Sequence, residues 1–253
     1  MKVGLSAVVI AQDAEITIGR CLESLRWADE IVVLDGGSRD RTVEIARAAG
    51  ARVIRSPWPG FPEQRRRALA QARHPWVLSL DADEEVSPEL AGEVRNVLRS
   101  PDRDGYDVPR RNRFLGRWVR HGSWSRDVQM RLFRREAAGV RPAPVHEGYY
   151  VRTPAGRLRS FILHHAHPTL SESFEKMTRY TSLEAEQRAR RGRVGYLDLL
   201  LRPAATFLRY AIGRGGWRDG ARGWLLAGTT AVYKGVLLCM AWERRRRGED
   251  GGA

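Results

Sequence analysis

Trp76 to Glu85 reads WVLSLDADEE, in which five residues of strand character, Trp76-Val77-Leu78-Ser79-Leu80, run straight into Asp81-Ala82-Asp83. A short apolar run bounded by polar residues marks a buried strand. Acids just past such a strand stand at the carboxyl edge of a sheet, where open α/β sheets bind their ligands. Two carboxylates separated by one small residue can reach a single divalent cation that carries a phosphorylated ligand. Magnesium favours this arrangement of one or two carboxylates plus phosphate oxygens and water. The competing reading is a solvated acidic turn that caps the next helix, because Ser87-Pro88-Glu89 has the form of an N-cap, N1 and first turn. A D-x-D triplet alone is too short to decide.

The flanking sequence supplies the context. Gly4 to Ala11 (GLSAVVIA) is a β-branched apolar run, followed by Gln12-Asp13-Ala14-Glu15 and a helix to about Arg26 in which Ile18, Cys21, Leu22 and Leu25 recur at helical spacing. Glu30 to Leu34 (EIVVL) is a second strand, ending in Asp35-Gly36-Gly37-Ser38-Arg39-Asp40; Asp40 is placed to cap a helix over 41–49 that Gly50 stops. Arg52 to Arg55 is a short third strand, and the loop SPWPGFP leads to a helix over 63–72 and back to the opening strand. Strands alternating with helices predict a parallel α/β sheet with right-handed crossovers. Three strand ends would then line one crevice. No G-x-G-x-x-G follows the first strand and no G-x-x-x-x-G-K-[ST] occurs anywhere. The edge carries acids instead: Asp13, Glu15, Asp35, Asp81 and Asp83. Such acids can accept hydrogen bonds from ribose hydroxyls and base N–H groups and can hold a cation, which suits a nucleoside diphosphate.

With 253 residues the chain has room for one large domain, or a domain with an appendage. It carries 44 basic and 30 acidic side chains, net +14, and only Lys2, Lys176 and Lys234 are lysines. Residues 1–150 hold 25 basic and 21 acidic groups, whereas 151–253 hold 19 and 9, so the excess belongs to the C-terminal part. Its natural partner is polyanionic, either nucleic acid or an anionic membrane leaflet. Cys21 and Cys239 cannot make a disulfide framework, which fits a reducing compartment. The N-terminal MKVGLSAVVIAQ lacks a cleavage pattern and reads as a first strand. The best candidate for a membrane span, Gly223 to Trp242, is split by Lys234 into charge-free runs of 11 and 8 residues, each short of the ~20 that a span needs.

LSAVVIAQDAE, ADEIVVLDGGSRDRTVEIA and WVLSLDADE, in that order, resemble the inverting family 2 glycosyltransferases of the GT-A fold. More narrowly, WADEIVVLDGGSRDRT, GFPEQRRRAL, the RLFRR segment and PVHEG resemble the lipopolysaccharide core β-glycosyltransferases of the WaaE/KdtX type. The resemblance implies a Rossmann-like, mainly parallel sheet flanked by helices, with a nucleotide-sugar-binding catalytic domain over 1–165. A helical, basic region over 166–253 extends it. The implied reaction moves a glucose-like sugar from a nucleotide-diphosphate donor, a UDP-sugar by preference, to an inner-core or other lipid-linked saccharide, with Mg²⁺ or Mn²⁺ as cofactor.

Carried over residue by residue, the family pattern puts Ala11, Asp13 and Glu15 under the nucleobase. Asp35 takes the base, Gln64 and Arg65 the side of the donor pocket, Asp81 the ribose and Asp83 the metal. The family usually has Asn at the position of Asp13, Glu at Ala14 and Asn at Arg66. Inverting transfer needs a carboxylate to take the acceptor's proton, and two are available: Glu147 in Val145-His146-Glu147-Gly148, ranked first, and Asp127 before the RLFRR strand. For Asp127 the bland reading is a salt bridge to Arg131 or Arg134, and for His146-Glu147 a structural turn. Leu163-His164-His165-Ala166-His167 resembles a metal cluster, with His164 as a candidate extra ligand. Arg110 to Trp124, a basic and aromatic loop, suits sugar faces and acceptor phosphates.

Downstream, Leu170 to Arg190 is predicted as one helix and 195–212 as a second, broken by Pro203. A third runs through Trp224 to Trp242, and four arginines and a disordered polar tail close the chain. Apolar helices with tryptophans and arginine edges describe a membrane-surface element, so the expected location is cytoplasmic, peripheral to the inner face of the cytoplasmic membrane. The alternatives are a basic nucleic-acid-binding protein and a nucleotidyltransferase. The first lacks a recognised nucleic-acid motif, and the second lacks a phosphate-binding loop after the first strand.

Overall fold

The computed structural model describes residues 3–142, 148–165, 169–190, 192 and 194–250. In chain order its strands and helices open with β1 (Leu5–Ala11), α1 (Ile18–Glu23), β2 (Glu30–Asp35), α2 (Thr42–Ala48), β3 (Arg52–Arg55), α3 (Phe61–Ala70), β4 (Trp76–Asp81), β5 (Glu84–Val86) and α4 (Pro88–Val97). Then come β6 (Gly105–Phe114), β7 (Arg117–Trp118), β8 (Val128–Arg134), β9 (Ala138–Val140), β10 (Tyr149–Val151), β11 (Gly156–Arg157) and β12 (Ile162–His164). Three helices follow: α5 (Leu170–Arg190), α6 (Tyr196–Leu208) and α7 (Ala221–Asp250). The chain packs into two compact units, residues up to 111 together with 127–165, and residues 112–126 together with those from 166 onward.

The first unit is the mixed, mainly parallel sheet that the sequence predicts. Its order is β3-β2-β1-β4-β8-β6-β12-β5, with β3, β2, β1 and β4 all parallel. β8 then pairs antiparallel with β4 and β6, and β12 antiparallel with β5. β1 is central and buried at all seven positions. Its side chains alternate between two layers, as the period of a strand demands. Leu5, Ala7, Val9 and Ala11 meet Ile18, Cys21 and Leu22 of α1 and Leu90 and Val94 of α4. Val8 and Ile10 meet Ala68 of α3, Phe133 and Tyr149. Ser87 caps α4 by accepting a hydrogen bond from the Leu90 amide at 3.2 Å, so the helix-cap role falls to Ser87.

The second unit is built on α7, with α5 and α6 packed along it. Ala185, Val194, Leu237, Leu238 and Ala241 form one buried cluster, and Phe114, Val119 and Leu226 another. Asp219 joins segments distant in sequence by accepting from the Arg120 and His121 amides at 3.0 and 2.8 Å. Three local expectations change here. Residues 110–114 continue β6 and turn back through β7, where a loop was expected. Pro203 lies inside α6 without ending it, and α6 passes into a π-helical turn over Arg209–Gly213. The helix holds because packing against α7, close to Gly235, compensates for one missing backbone bond. Finally, α7 does not stop at the arginines but runs through them to Asp250, and Lys234 does not interrupt it. By length and composition Ala221–Arg247 is long and apolar enough to cross a membrane.

Candidate active site

The parallel register brings the predicted acids to one edge. Asp35 ends β2 opposite Ala11, and Asp81 ends β4 opposite Ile10, so the two carboxylates flank β1 about two strand spacings, or ~10 Å, apart. Asp35 is fully buried and accepts from the Gly37 amide at 3.1 Å and the Ser38 amide at 3.2 Å, shaping the turn that follows β2. Asp13 has φ +48°, a left-handed conformation that Asp tolerates better than most residues. It is held there reciprocally: its amide donates to Ser38 Oγ at 2.9 Å, and its Oδ1 accepts from the Arg39 amide at 2.8 Å. Glu15 makes a parallel stitch, accepting from the Arg41 amide at 3.1 Å. Ala11 is buried, and its carbonyl accepts from the Gly36 amide at 2.7 Å.

These tied loops form one wall of a crevice of about 600 Å³, lined by Asp13, Gly36, Gly37, Arg39, Arg55 and Trp58, among others. A Cβ on Gly36 would stand 2.5 Å from the Trp58 ring, so glycine is what lets the indole close in. Trp58 is itself held edge-on by Phe61, with ring centroids 5.0 Å apart. Ala11 and Glu15 organise this crevice without lining it.

At the end of β4 stands a chain of buried and half-buried charges. Asp81 accepts from Arg65 at 2.9 Å and from Arg131 at 2.8 Å. Arg131 also donates to Glu84 at 2.7 Å, Glu84 accepts from Arg110 at 2.9 Å, and Arg110 donates to Asp127 at 2.7 Å. Glu84 further accepts from the Asp81 amide at 2.9 Å. The series Arg65–Asp81–Arg131–Glu84–Arg110–Asp127 alternates in sign and balances three guanidinium groups with three carboxylates. Burial opposes ionisation of Asp81, yet Arg131 and Arg65 hold its carboxyl well below the usual carboxylate range. Burial likewise opposes the charge on Arg131, and Asp81 and Glu84 more than restore it. Asp127 pairs with Arg110, whereas the bland reading named Arg131 or Arg134; Arg131 is held by Asp81 and Glu84, and Arg134 by Asp104 at 3.3 Å.

Arg65, Asp127, Arg131, Tyr149 and Asp107 face a second cavity of about 520 Å³. Burial raises the Asp107 carboxyl above its ordinary value against the pull of Arg157 and Arg141. Tyr149 locks one wall: Ser79 donates to its hydroxyl at 3.3 Å, and Arg65 lies over its ring at 5.8 Å. Beside Arg65, the Gln64 amide is buried without a hydrogen-bond partner. Buried amides are nearly always paired, so this one calls for a ligand or water.

Asp83 and His164 meet across the β5–β12 pairing, with Asp83 Oδ2 3.4 Å from His164 Nε2. A carboxylate oxygen and an imidazole nitrogen at that separation can both reach one divalent cation. The pair therefore fits a divalent cation whose remaining positions go to phosphate and water. Among the described residues there is no group of three or more metal-ligating side chains. The neighbouring His165 contacts Glu85 at 3.1 Å and Arg20 at 3.2 Å. Burial, reinforced by Glu84, Asp83 and Asp81, pushes the nearby Cys21 thiol well up, so it stays protonated.

Glu147, the first-ranked base, and His167 lie outside the described residues. The site features not anticipated from sequence are Trp58, Glu84, Arg110, Arg131 and Tyr149. Glu84 was in plain view as the third acid of DADEE. Its sequence signal was its place in a strand opposite β12, where alternation turns it inward.

The Glycosyl transferase family 2 model matches residues 6–163. The chain is 32% identical to the lipopolysaccharide core biosynthesis glycosyltransferase LpsC of Rhizobium meliloti (strain 1021), across 96% of this chain and 93% of that protein. A glycosyltransferase of Rickettsia typhi (strain ATCC VR-144 / Wilmington) is 39% identical over 103 residues, 40% of this chain and 35% of its own length. Among solved structures, glucosyl-3-phosphoglycerate synthase from Mycobacterium tuberculosis, in complex with Mn²⁺, UDP and glucosyl-3-phosphoglycerate, matches with 28% identity and a TM-score of 0.37 over 45% of each chain. The family model covers the strands and acids just described and the LpsC similarity runs nearly end to end, so the chain belongs to glycosyl transferase family 2.

Proposed function

We propose that this protein is a metal-dependent, inverting hexosyltransferase. It transfers a glucose-like sugar from a UDP-sugar to a lipopolysaccharide inner-core or other lipid-linked saccharide, working at the inner face of the cytoplasmic membrane. The observation that carries the reading is the pairing of Asp83 with His164 at 3.4 Å beside the Asp81–Arg65–Arg131 cluster, at the carboxyl edge of the sheet. The end-to-end similarity to a lipopolysaccharide core enzyme supports the acceptor class.

In this reading the crevice walled by Asp13, Gly36 and Trp58 takes the nucleobase, which stacks on the indole, and Asp81, at the end of β4, addresses the ribose. Gln64 offers its unpartnered buried amide to the donor. Asp83 and His164 would hold Mg²⁺ or Mn²⁺, which would supply positive charge to offset that of the departing diphosphate. The acceptor hydroxyl occupies the cavity bordered by Asp127, Arg65 and Tyr149. A carboxylate removes its proton as the oxygen attacks the anomeric carbon from the face opposite the leaving group, which inverts the configuration. Asp127 is one candidate for that base, oriented by Arg110; Glu147 is the other.

A panel of nucleotide sugars assayed with Mg²⁺ or Mn²⁺, scored for donor hydrolysis and for the anomeric configuration of the product, tests the proposal. One UDP-hexose turned over to a product of inverted configuration is expected. Retained configuration, or no turnover of any nucleotide sugar, would overturn it.

A further inference from the structure

α6 exposes a continuous apolar stripe. Leu197, Leu200, Leu201 and Leu208 are 70%, 71%, 60% and 53% exposed, and at 100° per residue they fall within a sector of about 100° on one side of the helix. The stripe continues past the π-helical turn into Ile212. It extends to α7 through Trp224, whose ring lies 5.7 Å from that of Phe207 and is itself exposed, next to exposed Leu225. Single exposed leucines are ordinary, but a contiguous set of this size marks an interaction surface. Arginines border it: Arg209 and Arg214 lean over the Tyr210 ring at 5.9 and 5.2 Å, and Arg218 over Trp217 at 5.4 Å. The acids of the same stretch are already engaged, Asp198 by Arg202 and Asp219 by His121. The border is therefore net positive.

We infer that this face of α6 is a monotopic membrane-docking element. It lies in the plane of an anionic leaflet with its leucines among the acyl chains and Arg209, Arg214 and Arg218 among the phosphates. The inference rests on the membrane location proposed above and goes further by assigning the docking element and its orientation. An apolar face edged by arginine and tryptophan is what an interfacial helix requires, and the bordering cations supply the charge complementarity that an uncharged protein partner would not use. The same unit argues against α7 as a spanning helix. Leu237, Leu238 and Ala241 are packed against Ala185 and Val194, contacts that would have to be given up on insertion, whereas the α6 stripe gives up nothing.

The test is co-sedimentation of the full-length protein with phosphatidylglycerol/phosphatidylcholine vesicles and with phosphatidylcholine vesicles. UDP binding is measured alongside as an index of folding and donor-site integrity. Wild type should bind the anionic vesicles and lose most of that binding in high salt. L200E/L201E should abolish it with UDP binding intact. R209Q/R214Q/R218Q should weaken it roughly hundredfold, at about fivefold per charge. Binding that L200E/L201E leaves unchanged would overturn the proposal, as would wild-type binding that high salt does not reverse, the behaviour of a spanning α7. If wild type ignores vesicles and sediments as a dimer that L200E/L201E dissociates, a second copy covers the face and the proposal fails. Vesicle binding without turnover of any nucleotide sugar would count against the enzymatic reading alone.

Discussion

Glu84 is the hinge of the buried charge series, and replacing it with Gln isolates the charge from the shape. Its side chain is fully buried and accepts from Arg131 at 2.7 Å, Arg110 at 2.9 Å and the Asp81 amide at 2.9 Å. Glutamine fills the same volume but presents an amide group to one guanidinium and removes a negative charge, leaving three cations against two carboxylates. Removing one partner of a buried pair costs about 3–5 kcal/mol. For a unit of this size that corresponds to a fall in Tm of roughly 6–20 °C. Circular dichroism melts at neutral pH read the shift. The double variant Glu84→Gln/Arg110→Gln restores charge balance and should recover part of the loss, with a coupling of at least ~1 kcal/mol. A shift of under 2 °C for Glu84→Gln, or strictly additive effects in the double variant, would refute the claim that the six groups act as one network.

Other outcomes follow from the same geometry. Asp127→Asn should cut turnover by about 10²–10⁴-fold if Asp127 is the base while leaving UDP affinity nearly unchanged. If Glu147→Gln alone produces that pattern in steady-state kinetics, the base is Glu147. The Asp81 and Glu30 carboxyls are both held below their ordinary values, Asp81 by Arg131 and Arg65 against the effect of burial, and Glu30 by Ser6, Arg73 and Arg52 against the same effect. A depressed folded-state pKa means that the unfolded chain takes up more protons in acid. Their contribution is thus complete above about pH 4–5 and lost as pH falls further. Melts from pH 8 to 3 should show Tm dropping below about pH 4, and a Tm that rises on acidification contradicts the assignment. Of the two thiols, exposed Cys239 should react rapidly with a disulfide reagent and buried Cys21 only on unfolding; two equally fast thiols in the native protein would show that the α1 layer is open.

The parallel half of the sheet was legible because its strands are apolar runs that end in acids, and Gly4–Ala11, Glu30–Leu34 and Trp76–Leu80 fall within a residue of β1, β2 and β4. The ends of the strands placed Asp35 and Asp81 at one edge for the same reason. What the chain did not disclose is where its arginines go. Arg110 and Arg131 sit among many others, and only the antiparallel register of β6 and β8 turns those two inward toward Glu84. Asp127 illustrates the point, since sequence proximity suggested Arg131 or Arg134, yet the partner comes from the neighbouring strand. Trp58 sits in a Pro/Gly loop, and nothing in its local sequence shows that Gly36 leaves room for it. α7 is longer than its hydropathy suggests, because Lys234 and the arginines look like boundaries in a hydropathy pattern yet are good helix formers.

The most direct test of the account is a calorimetric titration of UDP into wild type and Asp83→Asn, each with Mn²⁺ and with chelator. A divalent cation that takes diphosphate oxygens adds affinity that chelation removes. Wild type should therefore bind UDP far more tightly with Mn²⁺ than with chelator, and Asp83→Asn should bind weakly in both while melting at the wild-type temperature. Equal UDP affinity in all four titrations would contradict the assignment of Asp83 to the metal and, with it, the proposed mode of donor binding.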